Sequence, residues 1–221
     1  NMVFSNNLLL GAAGAGGAGY EIDQSIRFND NDSPRLYRTV GTATSRKTMT
    51  FSWWMKRGNI TLGAGAKLIA ANGANDDQIS IEIGAGYIDK IRFYLAGTGA
   101  AKFASNAVLR DPSAWYHIVI ALDTTQATST DRVKIYYNGV QQTDFYEATY
   151  PSLNYETLGF NYTGADLGIG HRAWVSPASF FDGYFAEINF IDGTAAAPTA
   201  FGEFNDDGVW IPTAYSGAYG D

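Results

Sequence analysis

The sequence predicts an all-β protein: a jelly-roll sandwich of two antiparallel sheets, preceded by an extended N-terminal arm. Three observations carry the prediction. Apolar residues recur with a period of two in one stretch after another. Gly, Asn, Asp and Pro punctuate those stretches as turn residues do. Helix-forming residues gather in no periodic run. The 221 residues are 46% apolar and 14% aromatic and include 25 Gly, which suits one all-β domain of this size.

The organising stretch is Trp115 to Val140. Tyr116, Ile118, Ile120 and Leu122 alternate with Trp115, His117, Val119 and Ala121, and both sets are largely apolar, so this strand should be covered on both sides. Arg132 to Tyr137 alternates with Val133, Ile135 and Tyr137 inward, and Asn138-Gly139 closes it as a tight turn.

Before this pair, strands are expected at Ser25–Phe28, Leu36–Val40, Thr48–Lys56, Lys67–Ala71, Gln78–Ile83, Ile88–Leu95 and Phe103–Leu109. In Thr48–Lys56, Met49, Phe51, Trp53 and Met55 share one face. After the pair, Asp144 to Asp166 has no clear period, and loops this long are usually functional or partly mobile. Leu167–His171 is a short strand, and Gly183–Asp192 a long one with Tyr184, Ala186, Ile188 and Phe190 on one side. Thr199–Phe204 reads as one helical turn.

Residues 1–19 differ from the domain of residues 20–221. Met2 to Leu10 is apolar with polar gaps, and Gly11 to Gly19 is almost pure Gly and Ala, with no side chains to build a core. One reading is a linker. The other is an arm that orders against a partner, with Val3, Phe4, Leu8, Leu9 and Leu10 as anchors.

The formal charge of −7 argues against nucleic acid as a partner. No run is long and apolar enough to span a membrane, and no basic region precedes the N-terminal leucines as a signal peptide would require. With no cysteine there is neither a disulfide nor a thiolate metal site.

Catalysis finds no support in the residues. His117 lies in the most apolar strand and reads as a core histidine; His171 beside Arg172 reads as a turn or surface residue. No G-x-S-x-G elbow is present. Retaining jelly-roll glucanases carry E-x-D-x-x-E, and Glu21-Ile22-Asp23 begins that pattern but Ile26 occupies its last position. Without the second carboxylate the two-carboxyl mechanism fails. The expected catalytic and metal-ligating sets are therefore none. A structural calcium is chemically allowed at Asp30 and Asp32, but the Gly and distal Glu of a calcium loop are absent, so no cofactor is assigned. Asn59-Ile60-Thr61 and Asn161-Tyr162-Thr163 match the glycosylation sequon. Tyr146, Tyr150, Tyr155, Tyr162 and Trp174 are the candidates for contact with a glycan or a protein surface, since loop Tyr and Trp suit both uses.

The motifs S-I-R-F-N, F-S-W-W-M-K-R-G, A-W-Y-H-I-V-I, V-K-I-Y-Y-N-G-V and F-D-G-Y-F-A-E-I-N-F-I-D-G, spread over Glu21 to Trp210, resemble the concanavalin A-like, laminin-G-like jelly-roll domains. R-D-P-S-A-W-Y-H, F-I-D-G and the opening M-V-F-S-N-N-L-L-L-G-A-A-G-A are most similar to the versions in virion structural proteins of tailed phages, marine and cyanobacterial ones in particular. The resemblance implies a two-sheet sandwich without catalytic residues, displayed on the virion surface as a head decoration, fibre or tail-fibre component. It implies partners among other virion proteins, held through the N-terminal arm, and a homo-oligomer, with a trimer favoured by fibre symmetry. It also implies chain beyond the Y-S-G-x-Y-G segment. The alternative function is a carbohydrate-binding module for host-surface glycan, or a secreted lectin-like protein.

Overall fold

Strands that alternate apolar and polar side chains must bury one face, and in the computed structural model they do so between two antiparallel sheets. Residues 19–34, 36–60, 65–74, 76–82, 87–97, 100–171 and 179–220 are described. The anchor candidates Val3, Phe4, Leu8, Leu9 and Leu10, and Trp174, lie outside them.

In chain order the strands are β1 (Ile26–Phe28), β2 (Leu36–Thr39), β3 (Thr48–Arg57), β4 (Ala66–Asn72), β5 (Asp76–Glu82), β6 (Lys90–Tyr94), β7 (Lys102–Ser105) and β8 (Tyr116–Asp123). There follow β9 (Val133–Tyr137), β10 (Val140–Gln141), β11 (Phe145–Thr149), β12 (Asp166–Ile169), β13 (Gly183–Asp192), β14 (Gly202–Phe204) and β15 (Trp210–Pro212). The smaller sheet has the order β1-β13-β3-β8-β9-β10, the larger sheet β11-β7-β6-β5-β4-β12-β2, and β14 pairs with β15 alone.

Between the sheets, Met49, Phe51, Trp53 and Met55 of β3 and Ile118, Ile120 and Leu122 of β8 face Ile79, Ile91, Phe93 and Phe103 of the larger sheet. Phe160 joins the two layers, its ring 4.7 Å from that of Phe51 and 6.4 Å from that of Phe93. That residue comes from the aperiodic stretch 144–166, which is therefore core structure over part of its length. The buried Asp77 carboxylate holds it there, accepting from Gly159 N (2.6 Å), Phe160 N (2.8 Å) and Ala96 N (2.9 Å).

Four expectations need correction. The stretch 144–166 contains a strand, β11, whose period is hidden by a bulge between Phe145 and Glu147. In β13 a second bulge lies between Ala186 and Asn189, with Glu187 at φ 46. It puts Phe185, Ile188 and Phe190 against the core and Ala186 on the opposite face, so Tyr184, Ala186, Ile188 and Phe190 do not share a side. The strand expected to run to Leu109 ends at Ser105. His171, expected at a turn or on the surface, sits at the bend after β12 but is buried, its ring stacked at 6.2 Å on Phe180.

The outer face of the smaller sheet is also apolar, and the chain after β13 covers it. Trp210 packs with Trp54 and Ala186, and Phe201 with Val119 and Ile191. Tyr215 stacks on Phe201 at 5.0 Å. Gly139 allows the close approach: it sits at φ +77, and a Cβ there would meet the Trp210 ring at 2.3 Å. The helical turn expected at Thr199–Phe204 is a short 3-10 turn, Pro198–Ala200, leading into β14.

Trp210→Ala should remove the keystone of this cover. The expected loss is about 3–5 kcal/mol, read as a lower guanidinium midpoint; an unchanged midpoint would show that the cover contributes nothing to stability.

Candidate functional site

The outer face of the larger sheet is built differently. In β6, Ile91 and Phe93 are buried and Lys90, Arg92 and Tyr94 point out. Register sets Tyr94 beside Lys102 of β7, and Arg92 beside Ala104, which in turn faces Glu147 of β11. The β11 bulge turns Phe145 in against Phe103, at 5.4 Å, and Tyr146 out.

The outward side chains form a strip in which tyrosine rings and cations alternate. Lys90 Nζ lies 4.4 Å from the Tyr146 ring. The Arg92 guanidinium stands between the rings of Tyr87 (5.3 Å) and Tyr94 (5.2 Å). Lys102 Nζ is 5.8 Å from Tyr94. Tyr87 meets Tyr146 edge-on at 5.0 Å and donates to Glu147 Oε2 at 3.0 Å, a bond that raises its phenol pKa. Such a strip offers flat ring faces for stacking and N–H donors for oxygen-rich ligands.

Of the tyrosines singled out in the sequence, Tyr146 lies on this strip and is 50% exposed. Tyr150 packs edge-on against Phe103 at 4.9 Å. Tyr155 is buried, and its hydroxyl donates to Ala96 O. Tyr162 lies under the Arg46 guanidinium at 4.7 Å. Tyr155 is thus a core anchor, and the structure does not bring Tyr150, Tyr155 and Tyr162 together with Tyr146. Sequence reasoning missed Tyr87, Lys90, Arg92, Tyr94 and Lys102. The signal for three of them was present in K-I-R-F-Y, whose polar set faces out when its apolar set faces in.

The buried titratable groups serve structure. His117 Nδ1 accepts from Trp210 Nε1 at 2.9 Å, so its Nε2 carries the proton and faces Ser52 Oγ, also at 2.9 Å. In a catalytic triad the imidazole accepts from serine and donates to a carboxylate; here both directions are reversed. Burial lowers the His117 pKa to about 3. Burial raises Asp77 to about 6, with the backbone donors from Ala96, Gly159 and Phe160 pulling the other way. Burial also raises Asp89, but hydrogen bonds from Arg57 and Arg110 outweigh it and leave the carboxyl below its usual range. Asp182 is raised by burial against the opposing charge of Arg27, whose Nη1 is 3.0 Å away. Glu21 and Asp23 are exposed ahead of β1. Asp32 accepts from Asn29 Nδ2 at 2.6 Å within the 3-10 turn Asp30–Asp32. Among the described residues no three His, Cys, Asp or Glu side chains gather as a metal site requires.

Two antiparallel sheets with one outer face closed and the other lined by rings and cations define a lectin-like sandwich. The chain belongs to the concanavalin A-like lectin/glucanases superfamily, whose laminin G model matches residues 21–198. No curated protein matches the chain. Among solved structures it is similar to a heptameric pentraxin from Limulus polyphemus, with 12% identity, a TM-score of 0.53, and 78% of this chain and 77% of that one covered. Domain 4 of the extracellular arabinanase AbnA from Geobacillus stearothermophilus, in complex with arabinotriose, shares 18% identity at a TM-score of 0.50 and is covered over 68%, against 73% of this chain. The NanB sialidase of Streptococcus pneumoniae shares 13% identity at a TM-score of 0.53, with 82% of this chain and 28% of that one covered. These likenesses establish the fold.

The His117 pKa yields a signed prediction. Its folded value of about 3 lies below the ordinary 6.5, so the unfolded chain binds the extra proton and stability falls as pH drops from 6.5 towards 3. Asp77 acts oppositely: raised from 3.8 to about 6, it holds its proton in the fold, and its contribution falls as pH rises through that window. Denaturant unfolding of the protein and of His117→Gln, between about pH 7 and pH 4, should show the variant's stability deficit shrinking as pH falls. A constant deficit would refute the assigned protonation.

Proposed function

We propose that the domain is a non-enzymatic carbohydrate-binding module that takes glycan on the outer face of the larger sheet. The observation that carries the reading is the contrast between the two outer faces. One is covered by Trp210, Phe201 and Tyr215, and the other presents Tyr87, Tyr94 and Tyr146 with their cations. Rings already ordered by neighbouring cations can stack on the apolar face of a sugar at little entropic cost. The solved AbnA domain, in complex with arabinotriose, lends support by analogy of fold. The reversed wiring of the Ser52–His117 pair and the missing second carboxylate at Ile26 support a binding role over a hydrolytic one.

A glycan array followed by calorimetry tests this. Tyr94→Ala and Tyr146→Ala should each weaken binding at least about tenfold, or ~1.4 kcal/mol, with no reducing sugar released from any bound polysaccharide. Binding indifferent to both changes would place the site elsewhere, and sugar release would make the domain an enzyme.

The resemblance of R-D-P-S-A-W-Y-H and F-I-D-G to tailed-phage virion proteins favours a second, compatible reading, in which the sandwich is displayed on a particle and residues 1–19 attach it. An exposed Leu8-Leu9-Leu10 run is an association liability unless a partner covers it, and the Gly/Ala run after it permits close backbone packing. In this reading the protein is a virion component and a homo-oligomer, a trimer by fibre symmetry. A truncation lacking residues 1–19 should fold and fail to incorporate into particles. Incorporation at the level of the full chain would reduce the segment to a linker.

A further inference from the structure

We infer that the outer side of the smaller sheet carries a second ligand site, a hollow that takes a neutral sugar. It is separate from the tyrosine–cation strip, so it goes beyond the reading above and does not depend on it.

The cover formed after β13 stops short of the corner where β8 and β9 meet their connecting loop. Ala121 and Lys134 are partners in register there, and Tyr136 follows Lys134 on the same face of β9. A hollow of about 380 Å³ opens over them, lined also by Gln126 and Asp131 of the loop and by Ala195 and Ala197 of the chain after β13. Ligand sites span about 300–1,000 Å³, so this one has the size for a small ligand.

The polar groups left open in the hollow are of both kinds. Lys134 Nζ meets Asp131 Oδ1 at 3.2 Å, and an ammonium has further N–H to give. The second oxygen of Asp131, the Gln126 amide oxygen and the Tyr136 hydroxyl take no partner among the described residues. A sugar hydroxyl both donates and accepts, and it is served by donors and acceptors side by side. The methyl groups of Ala121, Ala195 and Ala197 and the Tyr136 ring supply apolar surface for the C–H face of the same ligand.

Charge favours a neutral ligand. Asp131 and Lys134 compensate each other. Asp123 carries the remaining charge, and three donors of its own loop engage its carboxylate: Thr125 N (3.0 Å), Thr125 Oγ1 (2.6 Å) and Gln126 Nε2 (2.6 Å). An anion therefore finds no uncompensated cation, and a cation finds only the open oxygen of Asp131.

Both rims are fixed before a ligand arrives. Arg132 ties the β8–β9 loop through Gln126 O (2.8 Å), Ala127 O (2.9 Å) and Pro151 O (2.9 Å). Thr50 Oγ1 donates to Thr194 O (2.7 Å) and accepts from Ala196 N (2.8 Å), which holds the other rim. Tyr136 packs against the cluster of Val119, Ile191 and Phe201. Little ordering is left for association to impose.

The test follows the backbone amide shifts of the isotope-labelled full chain by NMR. It is titrated with neutral methyl glycosides (of glucose, galactose, mannose, xylose and N-acetylglucosamine), methyl glucuronide, inorganic phosphate and methylammonium. A neutral glycoside should shift the amides of residues 121–136 and 194–197 saturably, and bind more tightly than the three charged probes. Ala195→Tyr, which fills the hollow from an exposed position, should abolish those shifts. Tyr136→Phe should weaken binding about fivefold, the worth of one hydrogen bond, with the melting temperature unchanged. Tyr94→Ala and Tyr146→Ala should leave the shifts as they are. The inference falls if no neutral glycoside moves these amides, if the shifts survive Ala195→Tyr, or if a charged probe binds most tightly. If glycoside binding is lost with Tyr94→Ala and ignores Ala195→Tyr, the strip is the site: the glycan-binding reading stands and this inference falls. Binding lost with Ala195→Tyr and indifferent to the strip tyrosines upholds this inference and overturns the placement on the larger sheet.

Discussion

The central strands β3 and β8 are apolar on both faces, and much of the molecule answers to that constraint. Met49, Phe51, Ile118 and Ile120 on one face, and Trp54, Val119 and His117 on the other, are nearly all removed from water. A single partner sheet covers the first face and leaves the second open. An uncovered face of that size would drive association. The chain after β13 closes it, with Trp210 and Phe201 as the large side chains. The family match ends at residue 198, ahead of Phe201 and Trp210.

Covering one face settles what the polar groups beneath it can do. Trp210 brings an indole N–H to His117, and a neutral imidazole passes its other proton to Ser52. Under this cover Trp210 Nε1, both His117 ring nitrogens and Ser52 Oγ all find partners, as a low-dielectric interior requires. The same logic governs Asp77, whose two donors Gly159 N and Phe160 N tie the 157–160 segment to the larger sheet while Ala96 N fills its other oxygen. Arg57 is fully buried with its Nη1 on Asp89 and on Leu109 O, while its Nε has no hydrogen-bond partner. Perturbed titration marks functional sites in many proteins. In this one the buried groups His117 and Asp77 lie under the layers that need holding.

The period-two pattern made the fold legible, because one strand face meets a core and the other does not. The β3, β8 and β9 cores follow Met49–Met55, Ile118–Leu122 and Val133–Tyr137 as the alternation implies. Legibility failed where a bulge shifts the phase. β11 was hidden behind the irregularity at Phe145, and β13 switches faces at Glu187. It failed again at β14 and β15, three residues each, too short to show a period. The candidate site was less legible than the fold. Tyr146 was reachable as a loop aromatic, while Tyr155 looked equivalent in sequence and turned out to be buried. Nothing local distinguishes the two; only the larger sheet does, by pairing β11 at its edge and drawing residue 155 between loops. The cations of β6 and β7 went unnoticed because outward polar residues on a strand are what alternation predicts by default.

Stability gives little reason for the strip itself. Cation–π contacts at exposed sites contribute about 0.5–1 kcal/mol each, and ordering a Lys or Arg side chain costs roughly 1.5–2 kcal/mol. The contacts of Lys90, Arg92 and Lys102 with Tyr87, Tyr94 and Tyr146 therefore do little for the folded state. They do hold both kinds of side chain in place before any ligand arrives. A binding surface gains by having its rings and donors already ordered, since the ordering cost then falls on folding and not on association. The larger sheet is suited to that task. Its inner face is fixed by Phe93 and Phe103 in the core, so the outward residues between them inherit a rigid backbone. The larger sheet thus combines a rigid inner face with an outer face of alternating charge and ring, where the smaller sheet's outer face is covered.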